Sequence, residues 1–151
     1  MRRVRSTDTI PERRVRSLLH KLGYRFRLHR RNLPGKPDIV LPKHRTVVFV
    51  HGCFWHRHEN CPHASAPSSR QGYWLPKFRR TVERDRKNQE ELRQQGLNVF
   101  VVWECETKDL HSLAQRLIMK ISKGSLPCRQ SFSLAIAAEQ MADYNTGNSA
   151  E

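Results

Sequence analysis

Residues 46–61 read TVVFVHGCFWHRHENC. The first five, Thr46 to Val50, form a continuous run rich in β-branched side chains. That is the pattern of a strand covered on both faces at the centre of a sheet. The eleven that follow hold two cysteines, three histidines and a Phe-Trp pair. Aromatic side chains usually go inside, whereas metal ligands want a compact loop. A loop that carries both at the end of a central strand has more to do than connect.

Upstream of the strand, Asp38 opens a short apolar run, Ile39 to Leu41, and Pro42-Lys43-His44 reads as a tight connection into Thr46. Further back, Thr9-Ile10-Pro11-Glu12 is a helix start: Thr9 as cap, Pro11 in the first turn and Glu12 where a capping box wants a carboxylate. Val15, Leu18, Leu19 and Leu22 follow at helical spacing, and Gly23 ends the run. Tyr24, Phe26 and Leu28 then alternate with Arg25, Arg27 and His29, which predicts a half-buried strand with one basic face. Residues 32–37, NLPGKP, form a turn-rich connector.

Downstream, residues 64–72, ASAPSSRQG, are polar and expected to be exposed and mobile. Residues 74–95 have a charged helical pattern, with Phe78, Val82 and Leu92 on the apolar side and Gly96 as a stop. Residues 97–103, LNVFVVW, are a second continuous apolar strand. Residues 109–122 are an amphipathic helix through Leu110, Leu113, Leu117 and Ile121. The order helix, strand, strand, strand, helix, strand, helix predicts an α/β fold: a mixed central sheet flanked by helices. One domain is expected over residues 1–122. Residues 123–151 form a weakly patterned tail, with a helix expected at 131–144 and an unstructured end.

The chain has 151 residues, enough to bury a core in one domain. It carries 28 Lys and Arg against 14 Asp and Glu, a net charge of +14, which points to a polyanion such as nucleic acid. The charge is clustered: eleven arginines and lysines precede Lys36, opposed only by Asp8 and Glu12. No run of about 18 apolar residues exists, so no transmembrane helix is expected. The basic N-terminus has no apolar stretch behind it and does not read as a signal peptide. Four cysteines without such a signal suggest a reducing compartment and metal binding rather than disulfides, which places the protein in the cytoplasm.

Zinc takes four Cys or His ligands in a tetrahedron. Cys53, His58 and Cys61 have a suitable spacing, with His63 a rival to His58. The fourth ligand is Cys105 or Cys128, and Cys105 is preferred because it follows the strand ending at Trp103, whose end can lie beside the loop. Such a closed set is structural rather than catalytic; simple buried thiols are the plainer alternative. With the loop pinned, Phe54 and Trp55 are free to face outward and, with Trp74, to wedge between base pairs. Two adjacent aromatics on an extended segment would point to opposite sides. On adjacent antiparallel strands the ends at Asp38 and at Val50-His51 meet. A carboxylate and a backbone carbonyl suit Mg²⁺, and His51 and His56 lie just beyond, where a histidine can activate a water.

PGKPDIVLP, VFVHGCFWHRH, YWLPKFRRTVERDR and GLNVFVVWEC together resemble the very short patch repair (Vsr-type) mismatch endonucleases, over about residues 1–107. The resemblance implies a restriction-endonuclease-like core of the PD-(D/E)xK superfamily, and nicking of one strand 5′ to the T of a T:G mismatch left by deamination of 5-methylcytosine. It implies Mg²⁺ at Asp38 and at the Val50 carbonyl, where the family commonly has Thr. His56 matches the histidine that works with water as general base, His51 one near the scissile phosphate, and Glu12 a supporting carboxylate. Cys53, His58, Cys61 and Cys105 match the structural zinc ligands. Phe54, Trp55 and Trp74 match intercalating aromatics, and Lys77 matches a lysine at the T:G pair. The family usually has an N-terminal arm whose methionine inserts from the minor groove; this sequence starts at the matching Met1. The segment between His58 and Cys61 is one residue longer than in some members. A monomer in the bacterial nucleoid, working beside mismatch-repair proteins, is the expected setting. A restriction-like nuclease for another duplex and a non-catalytic zinc-stabilised DNA-binding module are the alternatives.

Overall fold

The computed structural model describes residues 7–123. Helix α1 spans Ile10–Lys21. The Thr9 hydroxyl accepts the Glu12 N–H at 3.4 Å, and the Glu12 carboxylate turns back to accept the N–H of Asp8 at 2.9 Å. The capping expected at this end is therefore present, with Asp8 in place of Thr9 as the returning donor.

Strands β1 (Arg27–Leu28), β2 (Ile39–Leu41) and β3 (Thr46–His51) run antiparallel in sequence. Helix α2 (Gln71–Gln94) then crosses over to β4 (Asn98–Trp103), which lies parallel to β3, and α3 (Leu110–Lys123) closes the described chain. The sheet order is β1-β2-β3-β4, so β3 is interior, as its unbroken apolar run requires.

Side chains alternate between two cores. On one face Ile39, Leu41, Val48, Phe100 and Val102 meet Val15, Leu18 and Leu19 of α1 and Leu113, Leu117 and Ile121 of α3. On the other, Val40, Val47 and Phe49 meet Leu92 of α2, with Leu97, Val99 and Val101 packed around them. This is the mixed α/β sheet with helices on both faces that the pattern predicts. Among the described residues no helix is long and apolar enough to cross a membrane.

Two local expectations need correction. The alternation from Tyr24 yields only a two-residue ladder, and Leu28 is exposed rather than half-buried. β1 is an edge strand, and no described element covers that position. Val82 is also exposed on α2, because only one narrow stripe of this helix, through Phe78 and Leu92, reaches the protein. Met1, Cys128 and the tail helix at 131–144 lie outside the described residues.

Two contacts set the geometry of the site. β3 and β4 end together, His51 opposite Trp103, so the loop after β3 lies against the Glu104–Lys108 turn after β4. The connector before β2 presses on α2 through Gly35, which has φ +71°; a Cβ there would come within 2.9 Å of the Asn88 Cβ. Only glycine accepts both that backbone and that approach.

Candidate functional site

After β3 the chain coils into tight turns. His56 N–H donates to the Gly52 carbonyl at 3.1 Å and His58 N–H to the Cys53 carbonyl at 3.0 Å. This winding brings the donor atoms of Cys53, His58, Cys61 and Cys105 within 4.8 Å of one another. His58 Nδ1 is 3.7 Å from the Cys53 sulfur and 3.4 Å from that of Cys105. The other His58 face stacks on Trp103 at 4.3 Å, which holds the ring toward the sulfurs. His63 is exposed beside Lys108 and outside this group, so the rivalry resolves to His58. Burial pushes the Cys53 and Cys105 thiols up from their ordinary range. Three sulfurs and an imidazole converging with no counter-charge fit a soft divalent cation, which would stabilise the thiolates. The closed set leaves no protein-side position open for substrate.

A cleft of about 780 Å³ opens beside this cluster, lined among others by Glu12, Asp38, Val50, His51, His56 and Asp85. Asp38 stands immediately before β2, and its Oδ2 accepts the Val50 N–H at 2.7 Å. In a strand the N–H and C=O of one residue point to the same side, so the Val50 carbonyl also faces Asp38. The β2-β3 register pairs Ile39 with Val48; continued, it sets Val50 against Pro37, which has no N–H to offer. A proline thus leaves a carbonyl available next to a carboxylate, an oxygen pair suited to a hard cation.

Glu12, on α1, is buried, and its carboxylate takes hydrogen bonds from Thr9, Asp8 and Arg16. Arg16 also reaches His29 Nε2 at 2.9 Å. Glu12, His29 and Asp38 form a cluster whose ligand atoms lie within 4.8 Å. Sequence reasoning passed over both Arg16 and His29.

Burial raises Asp38 from 3.8 to about 6; the nearby Glu12 adds to the rise, while the Val50 N–H, His29 and Arg16 oppose it. His51 moves the other way, from 6.5 to about 3, through burial and then the adjacent His56, with Asp85 opposing. Each shift has its own effect on stability. Asp38 holds its proton more tightly when folded, so its contribution is present below its unfolded value and lost as pH rises through about 6. His51 is buried neutral, so its contribution is present above 6.5 and lost as pH falls toward about 3. Over the shared window the two oppose each other. Asp38→Asn removes one side. Without added divalent cation, the variant is expected to lose stability on acidification from about pH 6.5 to 4 more steeply than wild type, by on the order of 2 kcal/mol, read as a steeper fall of melting temperature. Parallel melting curves against pH would refute the assignment.

His51 and His56 stack at 3.9 Å between ring centroids, 8° from parallel. His56 Nδ1 lies 2.5 Å from Asp85 Oδ2. Asp85 comes from the middle of α2 and is the principal residue the sequence reading missed. A signal was present: Phe78, Asp85 and Leu92 fall seven residues apart, so the sole Asp of α2 sits on the stripe reserved for apolar side chains. A carboxylate there needs a polar partner inside.

The aromatic expectation is corrected in part. Phe54 and Trp55 do not diverge, because the segment is coiled rather than extended. Phe54 packs edge-on against Trp55 at 5.2 Å, Trp74 at 5.5 Å and Phe78 at 5.2 Å. The Arg57 guanidinium covers Phe78 at 4.3 Å. Phe54 and Trp74 are half-buried, Trp55 is at the surface, and the Lys77 ammonium lies 5.2 Å from the Trp55 ring. Phe54 and Trp55, on the loop that also carries His56, thus form one cluster with Trp74 and Lys77 of α2.

Residues 1–62 match the family model described as DNA mismatch endonuclease Vsr. The type II nicking enzyme V.XorIIP of Xanthomonas oryzae pv. oryzae is 54% identical over 117 residues, covering 78% of this chain and 85% of that protein. The DNA mismatch endonuclease Vsr of Escherichia coli is 40% identical over 118 residues, covering 78% of this chain and 75% of its own. The catalytic domain of the homing endonuclease I-Bth0305I shares the fold, with a TM-score of 0.54 at 18% identity over 79% of this chain and all of that domain. With relatives this similar over most of its length, and a sheet that brings these side chains into one cleft, the chain is a DNA endonuclease and belongs to the Vsr family of DNA mismatch endonucleases.

Proposed function

We propose that this protein nicks one strand of duplex DNA 5′ to the T of a T:G mismatch arising from deaminated 5-methylcytosine, by Mg²⁺-dependent hydrolysis that begins very short patch repair. The observation that carries the reading is that Asp38, Val50 and the His56–Asp85 pair line one cleft, with Phe54 and Trp55 on the loop that carries His56.

Asp38 and the Val50 carbonyl would hold Mg²⁺, with Glu12 fixed beside them by Arg16. When bound, the ion supplies positive charge for the phosphate and the departing 3′ oxygen. Asp85 occupies His56 Nδ1, which leaves Nε2 as the proton acceptor. A water gives its proton to Nε2 as its oxygen bonds to phosphorus. The P–O3′ bond breaks, leaving a 5′-phosphate and a 3′ oxygen that takes a proton from solvent. His51, kept neutral by burial, can donate a hydrogen bond to the phosphate without repelling a nearby cation. Zinc at Cys53, His58, Cys61 and Cys105 keeps the loop stiff. Phe54, Trp55 and Trp74 then enter the stack beside the mismatch, where a wobble pair costs less to unstack than a Watson-Crick pair. Unstacking costs a few kcal/mol per step, which phosphate contacts of this basic chain offset. One site cutting one strand suits a monomer in the bacterial nucleoid, with mismatch-repair proteins as partners.

Asp85→Asn is expected to lower the single-turnover nicking rate about 10²-fold, because the amide neither favours the Nδ1–H tautomer nor stabilises the imidazolium. Melting temperature should shift by only a few degrees. A rate within a factor of two of wild type would remove Asp85 from the mechanism.

The deciding experiment is a denaturing gel of a labelled duplex with one T:G pair in a methylated-cytosine context, with Mg²⁺, beside a T:A control. A single nick 5′ to the mismatched T, absent from the control, is the expected result. Equal cleavage of both would replace this reading with a restriction-like nuclease. Binding without cleavage of either, across flanking contexts, would leave a zinc-stabilised DNA-binding module.

A further inference from the structure

Tyr73 is an exposed aromatic on the first turn of α2, at 59% of its full accessibility, and no step above uses it. Its ring meets Trp74 edge-on at 5.2 Å. Four residues later, one helical turn away, its hydroxyl accepts a hydrogen bond from the Lys77 ammonium at 3.3 Å. The same ammonium lies 5.2 Å from the Trp55 ring centroid, 5.4 Å from that of Tyr73 and 5.7 Å from that of Trp74. All three are within cation–π reach. A surface lysine ordinarily samples many rotamers. Here three rings and one hydroxyl confine it.

We propose that Tyr73 is a positioning residue for mismatch discrimination: it holds the Lys77 ammonium at the rim of the aromatic cluster, aimed at the base pair that the cluster opens. The inference rests on the reading above that Lys77 meets the T:G pair. The chemistry favours that substrate over T:A. In the major groove a T:G pair presents O4 of T and O6 and N7 of G, all acceptors, whereas T:A places the N6 amino donor of A beside O4. An ammonium has three N–H bonds. One to Tyr73 leaves two for the acceptors of the wobble pair, and the adenine amino group repels the same cation. Because a lysine confined in advance loses less rotamer entropy on binding, the hydroxyl strengthens discrimination without touching DNA itself.

The test compares wild type, Tyr73→Phe, Lys77→Met and the double variant on T:G and T:A duplexes, reading kcat/KM for nicking and melting temperature. Tyr73→Phe keeps the ring and removes only the hydroxyl. It is expected to lower the T:G over T:A preference about three- to tenfold with melting temperature unchanged, and to have no further effect in the Lys77→Met background. A structural role for Tyr73 would not produce that coupling. If Tyr73→Phe keeps the full preference while Lys77→Met loses it, the positioning role is overturned and the reading of Lys77 stands. If Lys77→Met also keeps it, Lys77 does not meet the mismatch and both fall.

Discussion

Asp38→Asn is expected to reduce nicking of a T:G duplex by at least about 10³-fold while the protein stays folded and still binds DNA. The two halves of this outcome have separate causes. The Asp38 carboxylate accepts the Val50 N–H and so stands next to the Val50 carbonyl, and its replacement by a neutral amide removes much of the attraction for a hard divalent cation. The fold does not need that charge. Burial and the neighbouring Glu12 already oppose ionisation of Asp38, so the neutral side chain relieves a cost. An asparagine oxygen can still accept the Val50 N–H, so no buried donor is orphaned. Single-turnover nicking and a gel-shift titration on the same preparation separate chemistry from binding. A variant that nicks within tenfold of wild type would place the divalent cation elsewhere in the cleft.

The second large effect is on stability. Cys105→Ser is expected to cost most of the bound zinc, to lower the melting temperature by on the order of 10–20 °C, and to abolish nicking with it. Structural zinc sites contribute about 10–16 kcal/mol of apparent binding free energy, as much as the whole stability of an ordinary domain. Cys105 is also the ligand that ties the loop after β3 to the end of β4. Without it Cys53, His58 and Cys61 bind one another but not the sheet. His56, Phe54 and Trp55 belong to that same loop, so its release would remove the base and the aromatic cluster together. Metal analysis by mass spectrometry beside a melting curve checks the expectation. One zinc per chain and an unchanged melting temperature in the variant would remove Cys105 from the ligand set, and no zinc in the wild type would leave three simple thiols and a packed histidine.

These two results divide the molecule as its side chains do. The site with oxygen donors holds a carboxyl whose ionisation burial opposes and which the proposed chemistry would need charged. The site with sulfur donors has four possible ligands in one group, and under the proposed reading a metal there would stiffen the loop. The Cys and His donors converge inside the turn, Phe54 and Trp55 gather with Trp74, and His51 and His56 stack on each other with His56 against Asp85.

What could be read from the sequence alone was what local pattern dictates. Residues 46–50 and 97–103 are unbroken apolar runs and had to be strands covered on both faces. The 3.6-residue spacing of Val15, Leu18, Leu19 and Leu22 and of Leu113, Leu117 and Ile121 had to make helices. The softness of Cys and His, at spacings a single loop can close, marked a metal site. Tertiary structure decided which groups face one another. His58 rather than His63 joins the sulfurs because Trp103 stacks on it from β4. Phe54 and Trp55 gather on one side because the loop coils around the ligands. Leu28 and Val82 are exposed because no described element covers them. Asp85 reaches His56 across 29 residues of chain, and Arg16 reaches His29 across 13. Periodicity reports only how a segment divides its own faces between protein and water. The partner waiting on the buried face is set by the packing of α1 and α2 against the two sides of the sheet, and no spacing within either segment encodes it.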